Sequence, residues 1–228
     1  MKQKTGAPVS FSHGSTNARG VAILIKNSLN IPIQQSEISS DGRFIVLKAD
    51  INNETYTIAN VYGPNKDPNA VKFYRNLSKL SRNDDFGNEE NIIVGDFNCP
   101  LDITLDKKGG LPIPQKYVIN SVDELQSEFS LHNIWRLKNP ILQSFTNAWG
   151  CSSPFIFCRL DYWLISDKLH DLVTKVDIIP SIKTDHSAIF LELEEIESSG
   201  RGAGFWKLNT SLLTNENYKH MITNSLPT

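Results

Sequence analysis

Five short stretches carry side chains able to move protons, hold cations or grip phosphate. The first is Gly95-Asp96-Phe97-Asn98, which follows the apolar run Ile92-Ile93-Val94. Residues two apart on an extended chain point to one side, so Asp96 and Asn98 can reach into one pocket. A carboxylate binds a hard cation or takes a proton from water, and an amide holds that water or a phosphate oxygen. An Asx turn closed by Pro100 accounts for the same residues without chemistry; locally the two readings are equal. The second stretch is Thr184-Asp185-His186-Ser187. Its imidazole titrates near neutral pH and suits acid/base work, although an isolated Asp-His pair is more often structural.

The other three stretches are weaker alone. In Arg159-Leu160-Asp161-Tyr162-Trp163 the Asp161 carboxylate stands in an apolar strand and needs a partner. Arg159, two residues away, is a poor one. Val61-Tyr62-Gly63-Pro64-Asn65 offers a phenol and an amide for phosphate around an ordinary Gly-Pro turn. Phe145-Thr146-Asn147 offers a hydroxyl. All five stretches sit at predicted strand ends, where ligands of layered α/β proteins gather.

The elements that must position them follow from the hydrophobic pattern. Residues 1–20 are polar and read as loop. Val21 to Lys26 is an apolar strand. Phe44 to Ile51 and Thr55 to Tyr62 alternate, and Asn52-Asn53 suits a hairpin turn between them. Asp67-Pro68 starts a helix in which Val71, Tyr74, Leu77 and Leu80 share one face. Asn83 to Glu90 reads as a polar loop. Ile92 to Val94 reads as a strand buried on both faces. Residues 101–116 read as a surface loop, and Ser121 to Glu124 as a capping box ahead of a helix. Phe145 to Trp149, Arg159 to Ser166 and Ala188 to Glu195 read as strands, and Asp167 to Leu172 as a short helix. The alternation with an included hairpin predicts mixed sheets flanked by helices. Residues 198–204 read as a flexible linker, and Phe205, Trp206, Leu208, Leu212, Leu213 and Tyr218 mark an aromatic-apolar tail.

A chain of 228 residues with 39% hydrophobic content can bury one sizeable core. A net charge of -2 argues against coating nucleic acid by bulk attraction, but leaves room for a local basic groove. Three cysteines without metal-ligand spacing read as reduced packing residues of an intracellular protein. No apolar signal core opens the chain, and no apolar run is long enough to span a membrane.

In order along the chain, NVYGPN at 60–65, GDFN at 95–98, SFTNAW at 144–149, RLDYWL at 159–164 and TDHSAI at 184–189 resemble the endonuclease/exonuclease/phosphatase superfamily. SHGSTNARGVAILI at 12–25 and GRGAGFWKLNTSLL at 200–213 narrow the resemblance to the endonuclease domain of non-LTR, LINE-type retrotransposon polyproteins. The resemblance implies a four-layer α/β sandwich over residues 1–197, followed by the tail at 198–228. It implies cleavage of a DNA phosphodiester with Mg²⁺ or Mn²⁺. By position, His186 contacts the scissile phosphate, Asp161 orients it, and Asp96 activates the attacking water with help from Asn98. Tyr62, Asn65 and Thr184 hold the substrate, Thr146 lines the DNA surface, and Asp185 joins Asp96 on the metal side.

The family pattern opens with a strand-helix-strand whose Glu is the main metal ligand. No stretch here matches that opening, and Glu37 lies beyond the SHGSTNARG match. No Tyr-x-Asp-Asp marks a reverse-transcriptase domain. The sequence therefore looks like a fragment, located in nucleus or cytoplasm, whose nicking activity is expected to be impaired. Two rival readings are a non-catalytic nucleic-acid-binding remnant and a phosphatase acting on a small phosphoester.

Overall fold

The computed structural model describes residues 9–15, 18–65, 68–81, 90–110, 116–149, 155–181 and 184–194. Its strands are β1 (Val9–Ser15), β2 (Ala18–Leu24), β3 (Ile33–Ile38), β4 (Phe44–Ile51), β5 (Glu54–Tyr62), β6 (Glu90–Asp96), β7 (Lys107–Lys108), β8 (Leu131–Asn133), β9 (Asn147–Trp149), β10 (Ile156–Cys158), β11 (Asp161–Ser166), β12 (Val173–Ile179) and β13 (Ala188–Leu193). The helices are α1 (Asn69–Ser81), α2 (Lys116–Glu128), α3 (Ile134–Lys138) and α4 (Asp167–His170). The chain divides into two units, Met1–Ile196 and Glu197–Thr228. The expected linker and tail lie outside the described residues, as do Cys151 and the loop expected from Asn83 up to its last residue, Glu90, which belongs to β6.

A six-stranded mixed sheet in the order β3-β4-β5-β6-β11-β8 forms the centre. Only β5 and β6 run parallel in it. Side-chain alternation gives this sheet two working faces. Ala59 and Val61 of β5, Ile93 of β6, and Tyr162 and Leu164 of β11 point one way. They pack against Ala70, Tyr74 and Leu77 of α1 and Val118, Val122 and Leu125 of α2. Ile92 of β6 and Ile165 of β11 point the other way and pack with Ile134, Leu169 and Val173. Tyr56, Trp163, Val176, Leu191 and Leu193 lean against that second cluster, so the two-stranded sheet β12-β13 lies on this face. Two-stranded β1-β2 and three-stranded β7-β10-β9 complete the sheets. The Asn60 amide donates to the Ala22 carbonyl at 3.0 Å and fixes β2 to β5. The arrangement is an α/β sandwich of mixed sheets with few helices.

The strongest sequence signals hold. The β4-β5 hairpin turns at Asn52 and Asn53, both at positive φ (53° and 66°), as a two-residue turn between twisted strands requires. Three expectations need correction. The stretch 1–20 is not all loop: Val9–Ser15 pairs with Ala18–Leu24 in a hairpin whose polar side chains hid it. Residues 101–116 include β7, which pairs with β10. The Ser121–Glu124 capping box is not a helix start, because α2 begins at Lys116. Ser121 lies inside α2, and its hydroxyl donates back to the Val118 carbonyl at 2.7 Å. Cys99 and Cys158 are buried free thiols, as their lack of ligand spacing suggests. Among the described residues no helix is long and apolar enough to cross a membrane.

Behind β6 and β11 lies a buried ionic knot. Asp106 and Arg159 are 0% and 1% exposed. Arg159 Nε and Nη2 donate to the two Asp106 oxygens at 2.9 and 3.0 Å, a bidentate fork. Arg136 adds a third donor at 2.5 Å, and Asp102 N a fourth at 3.1 Å. The Arg159 guanidinium also lies over the Tyr162 ring, 4.6 Å from its centroid. Arg159 is thus committed to Asp106, and Asp161 is left to another partner. Removing one half of such a buried pair strands the other charge without water. Asp106→Ala is expected to cost roughly 3–5 kcal/mol of folding stability, read as a lower midpoint in urea with unchanged slope. A midpoint within error of the unsubstituted chain would show the knot to be dispensable.

Candidate active site

The end of β6 is shaped by Gly95, which holds φ +136°. A Cβ there would collide with the Val61 carbonyl oxygen of the neighbouring strand. The strand therefore turns without a side chain and presents Asp96 at its tip. Cross-strand register then lines up three residues. Asp96 faces Tyr62 in parallel β5 and Asp161 in antiparallel β11. Paired residues of adjacent strands point to the same face, so this row crowns the face that carries Ile92 and Ile165. Phe97 N donates to Leu160 O, and Gly63 N to Asp96 O, both at 2.7 Å, closing the three strand ends together.

Asn98 sits at φ 51°, a left-handed turn that asparagine tolerates. Its backbone N–H donates to Asp96 Oδ1 at 2.8 Å, its side-chain amide to Asp96 Oδ2 at 3.2 Å, and the same amide to Gly63 O at 2.7 Å. The Asx turn and the paired site are one object: the turn aims the carboxylate.

His186 arrives from the segment before β13. Its backbone bridges to Asn147. Ser187 N donates to Thr146 O at 2.6 Å, and Ala148 N to Asp185 O at 3.3 Å. Thr146 is 1% exposed, which corrects the expectation that it lines the DNA surface. Its hydroxyl oxygen accepts the N–H groups of Leu160 and Asp161 at 2.9 and 3.2 Å. Thr146 therefore clamps the Asp161 backbone with its side chain and the His186 segment with its main chain. Thr184 closes that segment's turn by donating to His186 O at 2.7 Å.

The convergence is close. His186 Nδ1 lies 2.8 Å from Asp161 Oδ2, and Nε2 faces Asp96 Oδ2 across 4.0 Å. The ring is about one-third exposed and both carboxylates are mostly buried. With Nδ1–H given to Asp161, Nε2 is the atom free to act at the pocket. The hydrogen bond to Asp161, opposed by burial and helped by the Asp161, Asp96 and Asp185 charges, raises the His186 pKa above its usual value. Burial first, and then the nearby Asp161 charge, push the Asp96 carboxyl up to about 6. Asp185 is exposed and acts on both through its charge. Tyr62 stands beside Asp96 in register, its ring under the Arg43 guanidinium at 5.1 Å. Asn65 lines a groove with Arg43 and Lys72. Thr146's clamp, Arg43 and Asp106 escaped the sequence reading. Arg43 sits in an unremarkable Asp-Gly-Arg turn, and Asp106 is one polar residue in a polar loop.

Among the described residues, no three His, Cys, Asp or Glu side chains are arranged to hold a metal ion. The candidate ligands Asp96 and Asp185 do not by themselves make a cage, and Asp96 already accepts from Asn98 on both oxygens.

The raised Asp96 pKa has a stability consequence. A carboxyl whose folded pKa is about 6 holds its proton more tightly than in the unfolded chain. Ionising it therefore costs stability, a cost absent at pH 4 and complete above pH 6. Asp96→Asn removes it. The melting-temperature difference, variant minus unsubstituted chain, is expected to grow from pH 4.5 to pH 8. A constant or shrinking difference would refute the burial of this charge.

Residues 3–186 match the Endonuclease/Exonuclease/phosphatase family. A "Transposon TX1 uncharacterized 149 kDa protein" of Xenopus laevis is 29% identical over 210 residues, which are 92% of this chain and 16% of that protein; the chain spans about a sixth of the length of this relative. Among solved structures, the Xenopus laevis APE2 catalytic domain superposes with TM-score 0.62 at 19% identity, covering 84% of this chain and 78% of that one. The AP endonuclease LMAP from Leishmania major gives TM-score 0.62 at 16% identity, covering 82% and 71%. The endonuclease domain of TRAS1, a telomere-specific non-LTR retrotransposon, gives 0.59 at 12% identity, covering 82% and 81%. These superpositions establish the fold, and the family match over most of the sequence establishes that the chain belongs to the endonuclease/exonuclease/phosphatase family and resembles the endonuclease domains of non-LTR retrotransposons.

Proposed function

We propose that this chain is a DNA-nicking endonuclease domain of retrotransposon type. The observation that carries the reading is the row Asp96-Asp161-His186, with His186 Nδ1 fixed at 2.8 Å from Asp161 and Nε2 turned toward Asp96. Asp96, with its pKa near 6, is the base that takes a proton from the attacking water. Asn98 fixes the carboxylate's direction. His186, kept protonated by Asp161, donates from Nε2 to a phosphoryl oxygen as charge builds there. Tyr62 flanks the scissile group. The Xenopus relative's transposon origin and the TRAS1 fold support DNA as the substrate. Mg²⁺ or Mn²⁺ is proposed as the cofactor by analogy with the family, held weakly here because the described side chains provide no three-ligand set. The same observation favours a second reading, a domain that binds nucleic acid without cutting it.

The purified chain is expected to nick supercoiled plasmid slowly, in a chelator-sensitive way. His186→Ala should lower the rate by roughly 10²–10⁴-fold. The rate should rise with pH through about 6 as Asp96 ionises. It should fall again above the raised His186 pKa as the imidazolium is lost. Fast nicking would reject weak metal holding. Nicking equal in His186→Ala would reject the assignment of the site, and plasmid binding with no nicking at any protein concentration would favour the non-cutting reading.

A further inference from the structure

Among the described residues, four buried side-chain polar atoms have no hydrogen-bond partner. Three are N–H groups, of Trp135, Arg136 and Trp163. The fourth, Asn147 Oδ1, is an acceptor, and it stands beside His186. A buried acceptor left without a donor is unfavourable to folding and calls for a reason.

Asn147 lies on β9 between Thr146 and Ala148 and is 6% exposed. Its backbone pairs with His186, and the flanking bonds run from Ser187 N to Thr146 O and from Ala148 N to Asp185 O. Bonds that bracket a pair in this way make it the non-hydrogen-bonded kind of antiparallel pair. That kind brings side chains closest, with Cα atoms about 4.5 Å apart. Opposite residues of the pair share a face, so the Asn147 carboxamide and the His186 ring are neighbours. On its other flank Asn147 pairs with buried Cys158, which walls the carboxamide in.

The ring has use for such a neighbour. It is tethered at its Cβ and by one hydrogen bond, from Nδ1 to Asp161 Oδ2 at 2.8 Å. It can still tilt about that bond and carry Nε2 away from Asp96 Oδ2, which is 4.0 Å off. The carbon edge of an imidazole is made of polarised C–H groups, which make weak contacts with a carbonyl oxygen. A leucine would fill the same space without stranding a polar atom. A position that keeps the costlier group is one held for activity rather than for stability.

We propose that Asn147 is a positioning residue for the cleavage step: its oxygen holds the C–H edge of the His186 ring, and with Asp161 on Nδ1 the two contacts set the direction of Nε2. The inference rests on the nuclease reading above and adds a second support for its proton donor. Asn147 acts through His186 and does not touch substrate.

The test compares the full chain with Asn147→Leu and with Trp135→Phe, a control that removes an unpaired buried N–H on α3. Plasmid nicking with Mn²⁺ gives kcat and KM, and a thermal melt gives stability. In a histidine-labelled chain at fixed pH, the line width of the His186 Cε1–H signal reports ring motion. That signal is the one, of five histidines, missing from His186→Ala. Asn147→Leu is expected to keep or raise the melting temperature and to broaden the His186 signal. It is expected to lower kcat by roughly 10- to 100-fold, the effect of a reacting group misplaced by a fraction of a bond length to about 1 Å, with KM unchanged. Trp135→Phe is expected to keep kcat, KM and the signal. An unaltered kcat in Asn147→Leu overturns the proposal, as does a raised KM at constant kcat, which would put Asn147 on the substrate. A lower melting temperature in Asn147→Leu also overturns it, since the oxygen would then be bonded to a buried water and structural. An equal loss of kcat in Trp135→Phe overturns it by showing that any core change slows the chain. No nicking by the unsubstituted chain overturns the nuclease reading, and the His186 signal then decides alone whether Asn147 holds the ring.

Discussion

Everything at the site hangs from the buried bond between Asp106 and Arg159. Two charges at 0% and 1% exposure survive only with their hydrogen bonds filled. Here four donors converge on one carboxylate. The geometric result is that the loop after β6 is locked to the residue two places before Asp161. Arg159 N also donates to Asp106 O at 2.8 Å, so main chain and side chain tie the same two segments. The tips of β6 and β11 cannot shift independently, and Asp96 and Asp161 stay in register. Tyr162, fully buried, adds to the lock by donating to the Arg159 carbonyl and receiving Leu101 N at 3.0 Å.

That lock forces two carboxylates side by side, which is an unfavourable arrangement on its own. The strain is answered by making the two unlike. Asp161 is hydrogen-bonded to the His186 ring, whereas Asp96 takes its hydrogen bonds from the Asn98 amides, stands 4.0 Å from the ring, and carries the burial penalty. Giving neighbouring titratable groups unlike partners is how a fold obtains a base and a charged donor in one pocket. Thr146 is the quiet partner in this division. By holding Leu160 N and Asp161 N through its hydroxyl and Ser187 N through its carbonyl, it sets the distance between Asp161 and His186.

What could be read from the sequence was what is local. Asn52-Asn53 announced its turn because two consecutive positive-φ residues are needed there and asparagine accepts them. Ile92-Ile93-Val94 announced a doubly buried strand, and β6 indeed feeds both core clusters. Asp96, Asn98, Asp161 and His186 could be picked out because each follows or opens an apolar run. β1 was missed because Ser and Gly fill four of its seven positions and its pairing with β2 is its main support. α2 was started five residues late because Ser121 and Glu124 imitate a cap when nothing local says that Tyr117 and Val118 are already helical. Long-range partners were the real limit. Nothing near Asp106 in the chain hints that it meets Arg159, 53 residues on. The order of motifs along the chain, more than any one of them, made the site legible.

The Gly63 carbonyl is where these constraints meet. A Cβ at that position would strike the Tyr74 hydroxyl and the Phe97 carbonyl, so only glycine lets the β5 end approach the turn after β6 so closely. Tyr74 uses that hydroxyl to donate to Phe97 O at 2.7 Å, which anchors the turn to α1. The oxygen of Gly63 then takes Asn98 from one side and Arg43 from the other. A single close approach in the backbone therefore orients the amide that aims Asp96, holds the cation beside it, and couples both to the helix that carries Lys72. The aim of Asp96 and the place of Arg43 thus share one packing contact, so a change that widened it would disturb both together.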